Sequence, residues 1–265
     1  MRLRGVHPDL AHAGESIDAL GGTLGRPLTL LSSTESTSDL AKQAAREGAP
    51  HGALWVAEEQ TAGRGRRGHS WLCPAGEGLL FSVLLRIPCV PSRIPPVALV
   101  AGLAVRDAVA RAAPGAQVVV KWPNDVLVEG RKLAGVLVEA VTIGSRVEGI
   151  VVGIGVNVHT RAFPEEIADR ATSVALVAPS APDRASLLAA ILGGLDRDAH
   201  VVLARGLGLV RGRLEAADGL RGRRVKNDGG DEGVGEGIDD DGRLLVRRDD
   251  GVLTRWSAGE VHLLR

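Results

Sequence analysis

Tyrosine is absent from this 265-residue chain, and aromatic residues of all kinds make up only 2% of it. The core must therefore be filled by Val, Leu, Ala and Ile, for which the 45% hydrophobic content is sufficient. Cysteine is nearly missing as well. Cys73 and Cys89 form no C-x-x-C pair, and a chain of this length needs no disulfide staple, so a reducing, cytoplasmic setting is expected. Neither sign of charge is in excess: 32 basic and 32 acidic residues give a formal charge of +0, which argues against a general nucleic-acid binder. The longest apolar run, near Val97–Val105, is too short and too rich in Gly and Ala to span a bilayer. No basic segment followed by an apolar run opens the chain, so no signal peptide and no membrane association are expected.

Several chemistries are missing too. The seven histidines show no zinc-like spacing. Neither a G-x-S-x-G elbow nor a G-x-x-x-x-G-K-[ST] phosphate loop is present. Asp239–Asp241 followed by Gly242 lacks the bidentate Glu of a calcium loop and reads as a plain turn.

Against these absences two stretches stand out. QTAGRGRRGHSW, Gln60–Trp71, packs Arg64, Arg66 and Arg67 between Gly63, Gly65 and Gly68. KWPNDVLVEGRKLAGVLVE, Lys121–Glu139, sets a Pro-Asn-Asp turn between Lys121 and Lys132. Gly63–Gly68 fits G-x-G-x-x-G literally, but Pro74, Gly76 and Gly78 oppose the helix that a dinucleotide loop must open. Arginine forks bind phosphate oxygens, and glycines let backbone N–H groups approach an anion; a solvated basic loop is the plainer alternative. Trp71 suits stacking on a flat ring, or a place in the core. Asn124 and Asp125 are presented at a strand end, where Asp125 suits Mg²⁺, although an Asn-Asp turn that only bonds its own backbone fits the same spacing. Lys132 and Asn157 have ordinary readings as an exposed lysine and a turn former. Cys73 lies near the arginines and reads as a structural thiol.

Periodicity predicts a helix over Ser36–Glu47, strands at Ala53–Glu58 and Leu79–Arg86, and a helix from Pro95 to about Ala113. Strands at Val118–Trp122, Gly135–Val141 and Gly149–Val158 follow, the last two joined by the turn Ile143–Arg146. Asp183 caps a helix toward Leu203, weakened by Gly193 and Gly194, and Leu207–Ala217 is helical. After Gly219, short strands between Gly/Asp turns suggest a small β-barrel. The expected division is a weakly structured lead-in over residues 1–27 with a short helix at Glu15–Leu20, a catalytic domain over 28–217, and a C-terminal domain over 218–265.

The order GRGRRG followed by Trp, KWPND, RKLAG and G-x-G-x-N resembles the biotin protein ligases, continuously from about Leu30 to Arg265. The resemblance implies an α+β fold: a central mixed β-sheet with flanking helices and a small C-terminal SH3-like barrel. It implies ATP and biotin as substrates, Mg²⁺, and two half-reactions: formation of biotinyl-5′-AMP with release of pyrophosphate, then transfer of biotin to a lysine of a biotin carboxyl carrier protein or domain. Matching positions put Ser36, Thr37, Ser38, Gln60, Gly63, Arg64, Gly65, Arg66, Lys132 and Gly135 at biotin. Arg66, His69, Trp71, Lys121, Asn124 and Asn157 fall at the nucleotide, with Trp71 stacking on adenine. Lys132, Arg66 and Asp125 carry the chemistry, and Asp125 also holds the metal.

Two positions depart from the family pattern. Ser38 stands where the family has Asn, so a hydroxyl or a water must replace one amide contact to biotin. His69 stands where another basic residue is frequent, so retention of the adenylate is expected to be weaker or pH-dependent. Only some 30 residues precede the Ser-Thr segment, which reads as the short form without a DNA-binding domain. A lipoate-type ligase and a biotin-responsive DNA binder are the rival readings, disfavoured by the KWPND–RKLAG spacing and by the neutral charge. A monomer or weak homodimer is expected, an edge strand offering one route to pairing.

Overall fold

The computed structural model describes residues 5–144 and 146–264. Two short helices open it, α1 (Pro8–Ala11) and α2 (Ala13–Asp18), followed by β1 (Leu28–Leu31), α3 (Thr37–Arg46), β2 (Leu54–Ala57) and β3 (Gly78–Leu85). Then come α4 (Val97–Ala112), β4 (Val118–Lys121), β5 (Asp125–Val128), β6 (Arg131–Ile143) and β7 (Arg146–Asn157). Helices α5 (Val174–Val177), α6 (Arg184–Arg205) and α7 (Arg211–Ala217) lead to β8 (Arg224–Asn227), β9 (Glu232–Ile238), β10 (Leu244–Arg247), β11 (Leu253–Trp256) and β12 (Val261–Leu263).

The first seven strands form one sheet in the order β1-β2-β3-β7-β6-β5-β4. It is mixed because β1 runs parallel to β2 while the other neighbours are antiparallel. Side chains alternate between its faces. Leu79, Phe81, Val83 and Leu85 of β3, with Ile150, Val152, Ile154 and Val156 of β7, point to the main core, which residues of α4 and α6 complete. The opposite face is covered only in part. Ala41 and Ala45 of α3 pack there against Leu84, Val141 and Val151. Beyond α3, that face carries Gly135, Gly153 and Gly155, whose lack of side chains lets Ser38 and Trp71 lie close against the sheet.

Gly193 and Gly194 do not end α6. A Cβ on Gly194 would lie 3.0 Å from Ala104 Cβ, so the glycine lets α6 press against α4. Asp183 caps the helix as expected, its carboxylate accepting from Ser186 N–H at 2.9 Å.

Residues 5–27 are more tightly held than their sequence texture suggests. Leu10, Ala13 and Ile17 are buried in the main core. The Arg184 side chain is wholly buried and joins three elements. It donates to Asp9 Oδ1 at 2.7 Å, to Glu58 Oε2 at 2.7 Å and to the Gly78 carbonyl at 3.0 Å. Burial works against ionisation of Asp9, but Arg184, His159 and His7 together hold its carboxyl far below the usual carboxylate range.

The five C-terminal strands form an antiparallel sheet, β11-β10-β9-β8-β12. Its apolar side, Val225, Leu244, Val246, Trp256 and Val261, shares a cluster with Leu99 and Leu103 of α4, Leu214 of α7, and Trp122. The Trp122 indole N–H donates to the Gly242 carbonyl at 2.8 Å, tying this module to the KWPND segment. Among the described residues no helix is long and apolar enough to cross a membrane.

Candidate functional site

A cavity of about 790 Å³ lies on the glycine-lined face of the main sheet, between α3, the arginine-glycine loop and the C-terminal module. Of the residues singled out from sequence, Ser36, Thr37, Ser38, Gln60, Arg64, Gly65, Arg66, His69, Trp71, Lys121, Asn124, Asp125, Lys132, Gly135 and Asn157 all line it. Gly63 is not on its wall. The Gly63 carbonyl instead accepts from Trp71 N–H at 2.9 Å, and a Cβ there would meet the Trp71 carbonyl at 2.6 Å.

One end of the cavity is the start of α3. Ser36 caps the helix, its Oγ accepting from Asp39 N–H at 3.4 Å. Thr37 and Ser38 then occupy the first turn with 2% and 6% of their surface exposed. Gln60 faces them: its Oε1 accepts from Thr37 N–H at 2.7 Å and from Thr37 Oγ1 at 3.0 Å.

The arginine-glycine loop folds back on itself. Gly65 N–H donates to the His69 carbonyl at 2.6 Å, and Arg64 bridges to Ser70. At the tip Arg67 takes φ 55°, unfavourable for a side-chain-bearing residue, and Gly68 takes φ 81°. Ion pairs fasten the loop on both sides. Arg64 pairs with Asp39 at 2.5 Å and Glu139 at 3.5 Å, whereas Arg67 pairs with Asp228 of the C-terminal module. His69 Nε2 lies 3.4 Å from Glu260 Oε1. Trp71 turns inward and lies on the sheet floor. A Cβ on Gly155 would be 2.6 Å from its Cε2, and one on Gly135 would be 3.2 Å from its Cζ3. Its buried Nε1 has no hydrogen-bond partner among the described residues.

The KWPND segment is a hairpin in which Lys121 pairs with Asp125. This explains why Asp125–Val128, unassigned from sequence, is a strand: the turn at Pro123-Asn124 returns the chain beside β4. Lys132 Nζ sits 2.7 Å from Asp125 Oδ1. Burial lowers the pKa of Lys121, with Asp125 and Glu260 opposing that shift, and burial likewise lowers that of Arg66. Arg66 Nη1 donates to Asn124 Oδ1 at 3.3 Å, and Asn124 Nδ2 donates to the Val136 carbonyl at 2.8 Å. Asn157 is anchored through Nδ2 to the Thr172 carbonyl at 3.0 Å, so its Oδ1 is the atom left for a ligand.

Arg66, Lys121 and Lys132 therefore converge on Asp125, with Glu260 acting on Arg66 and Lys121 as well. Among the described residues Asp125 Oδ1 is buried and receives no aligned hydrogen bond, despite its close charge contact with Lys132. A hard carboxylate oxygen without an aligned donor would fit a divalent cation whose remaining ligands are phosphate oxygens and waters, once Lys132 turns to the bound anions. Burial, reinforced by Glu77, pushes the Cys73 thiol up to about 11, which disfavours the thiolate.

Sequence reasoning missed part of the wall. Phe163, Ile167 and Arg170 line the cavity from the segment after β7. That segment is pinned where Lys132 N–H donates to the Arg170 carbonyl at 2.7 Å. Glu260 and His262 line the cavity from the C-terminal module. Nothing in the local pattern of either segment marks a site, since it is the fold that carries them there.

Residues 30–157 match the Biotin/lipoate A/B protein ligase family, and residues 222–264 match the Biotin protein ligase C terminal domain. The chain is 38% identical to the biotin–[acetyl-CoA-carboxylase] ligase of Mycobacterium tuberculosis, over 91% of this chain and 90% of that protein. It belongs to the biotin protein ligase family. The bifunctional ligase/repressor BirA of Bacillus subtilis is 35% identical, with 86% of this chain and 71% of the relative covered. The biotin protein ligase from Aquifex aeolicus in complex with biotin and ATP superposes with a TM-score of 0.78 at 31% identity, covering 91% of this chain and 99% of that one. Within this ligase family the expected α+β architecture, a mixed sheet with helices and a five-stranded antiparallel C-terminal sheet, is the one observed.

Proposed function

We propose that this ligase-family chain joins biotin to a lysine of a biotin carboxyl carrier protein or domain, through biotinyl-5′-AMP. The observation that carries the proposal is the single cavity in which a hydroxyl- and amide-lined end, Ser36–Ser38 with Gln60, is continuous with a cationic end, Arg66, Lys121 and Lys132 around Asp125.

In the first step a biotin carboxylate oxygen bonds to the α-phosphorus of ATP as the bond to pyrophosphate breaks. Two anions must meet. Arg66 and Lys132 neutralise the carboxylate and the α-phosphate, and Lys121 stabilises charge along the nucleotide. Asp125 would hold Mg²⁺, which when bound neutralises phosphate charge. Trp71 stacks on adenine once the ligand displaces it from the floor, and Asn124, Asn157 and His69 complete the nucleotide end. Gly135 and Gly155, covered here by Trp71, would leave room beside the sheet for the biotin chain once Trp71 moves to adenine, and Gly63, Arg64 and Gly65 hold the loop over biotin.

In the second step the lysine amine attacks the acyl carbon, a C–N bond forms, and AMP leaves with its bridging oxygen. A free lysine has pKa about 10.4, so fewer than about one in 10³ is neutral at pH 7. Asp125 is nominated to take the proton, once pyrophosphate and any bound cation have left. Closure of the arginine-glycine loop keeps water from the anhydride.

The working division is a catalytic unit over residues 28–217 and a C-terminal domain over 218–265. The protein acts in the cytoplasm, without DNA, as a monomer or weak homodimer. The test is incubation with biotin, ATP, Mg²⁺ and a biotin carrier domain. Streptavidin-detectable product is expected, lost when the carrier lysine is changed to Arg; no product with an intact carrier contradicts the proposal.

A further inference from the structure

Strand β3 is apolar except for one residue. Ser82 sits in GLLFSVLL, flanked by strand partners Trp55 and Gly153, with none of its surface exposed. It does not line the cavity, yet it touches two residues that do. Its Oγ lies 2.8 Å from Thr37 Oγ1 and 3.0 Å from Ser38 Oγ. A Cβ on Gly153 would lie 2.5 Å from Ser38 Oγ, so the bare glycine is what admits the cluster.

The protons of this cluster can be assigned. Gln60 Oε1 is fixed as the amide oxygen, because it takes the Thr37 backbone N–H at 2.7 Å and an amide nitrogen cannot. Its second partner, Thr37 Oγ1 at 3.0 Å, must then donate. A hydroxyl has one proton. Thr37 Oγ1 having spent its proton on Gln60, the bond from Ser82 is donated by Ser82, and the bond from Ser38 is donated by Ser38. The hydrogen bonds run one way: Ser38 to Ser82 to Thr37 to Gln60.

We propose that Ser82 is a positioning residue that sets the polarity of the biotin head-group wall. With its proton committed inward, Ser38 turns only lone pairs to the cavity. Gln60, its oxygen committed, offers its Nε2 hydrogens, which find no protein acceptor among the described residues. A wall with an acceptor at Ser38 and a donor at Gln60 matches a cyclic urea, whose N–H groups donate and whose carbonyl accepts. Thus the hydroxyl at 38 serves where a side-chain amide would otherwise supply a contact. The inference rests on the biotin reading above.

The test compares wild type, Ser82→Ala, Ser38→Ala and the double variant in biotin titrations and ATP–pyrophosphate exchange. Ser82→Ala is expected to raise the Kd of biotin about tenfold, as orphaning one buried hydroxyl partner does. The KM for ATP and kcat should stay within about twofold. The double variant should lose less than the product of the single losses, since both ends of one bond are gone. Desthiobiotin, which keeps the urea but lacks the sulfur, should weaken in parallel with biotin. Ser82→Cys, near in volume but a poor donor, should weaken binding in the same direction and serves if the alanine variant misfolds. Biotin bound by Ser82→Ala within twofold of wild type, strictly multiplicative losses, or a loss confined to biotin would each overturn the role of Ser82. Failure of the wild type itself to bind biotin would instead overturn the functional reading.

Discussion

Lys132 Nζ faces two groups at once: it is 2.7 Å from Asp125 Oδ1 and lies over the Trp71 ring, 5.7 Å from its centre. The ammonium thus bridges the carboxylate proposed for the metal and the indole proposed for adenine. Bound ligand must divide these partners, leaving Lys132 for the carboxylate and phosphate oxygens.

Lys132→Ala should therefore slow adenylation by on the order of 10²–10³, the usual loss of one group stabilising transition-state charge. Biotin-dependent pyrophosphate release in a single turnover is the measurement. A variant with near-wild-type release would remove Lys132 from the chemistry.

Lys121 is a case where function and stability oppose each other. Burial lowers its pKa, so the charged form is less favourable in the fold than in the unfolded chain. That penalty is fully present below the folded pKa and vanishes as pH rises past the unfolded value, about 10.4. Lys121→Met should raise Tm at pH 7, with the gain shrinking toward pH 10, while adenylation slows. A lower Tm at pH 7 would contradict the assignment.

His69 faces Glu260 across the gap between the arginine-glycine loop and the C-terminal module, at 3.4 Å. Arginine carries its charge at every working pH. His69→Arg should slow release of bound biotinyl-5′-AMP, and Glu260→Gln in the same chain should restore the faster rate. Release followed by filter binding checks both; an unchanged rate in His69→Arg rejects the loop contact as a determinant of retention.

The Asp9–Arg184 pair gives a stability prediction away from the cavity. Asp9 has a folded pKa held far below its unfolded value, about 3.9. Its stabilisation is therefore present above pH 4 and lost progressively as pH falls toward the folded pKa. Asp9→Asn should cost about 3 kcal/mol at pH 7, as breaking a buried ion pair does. Chemical denaturation should show the gap from wild type narrowing below about pH 4; a gap independent of pH would contradict the role of charge.

The sequence exposed the parts of the site whose chemistry is local. The arginine-glycine loop, the KWPND turn and the capping Ser36 each show in adjacent residues what they do. Strands with uninterrupted apolar runs, such as Gly78–Leu85, were equally legible. The lead-in was legible only in part: the helix expected at Glu15–Leu20 overlaps α2, but the buried positions Leu10, Ala13 and Ile17 are spread over two helices too short to show a period. Strand β1, only four residues long, and β5, within one turn of its neighbour, hid for the same reason. Phe163 and Glu260 reach the cavity wall, and Ser82 reaches Thr37 and Ser38 behind it, only through tertiary packing, which no spacing encodes.

Biotin-dependent ATP–pyrophosphate exchange, with lipoate and octanoate as parallel acids, tests the central claim most directly. Exchange with biotin and with neither other acid is the predicted result. Exchange driven by lipoate or octanoate, or by no acid at all, would contradict the account.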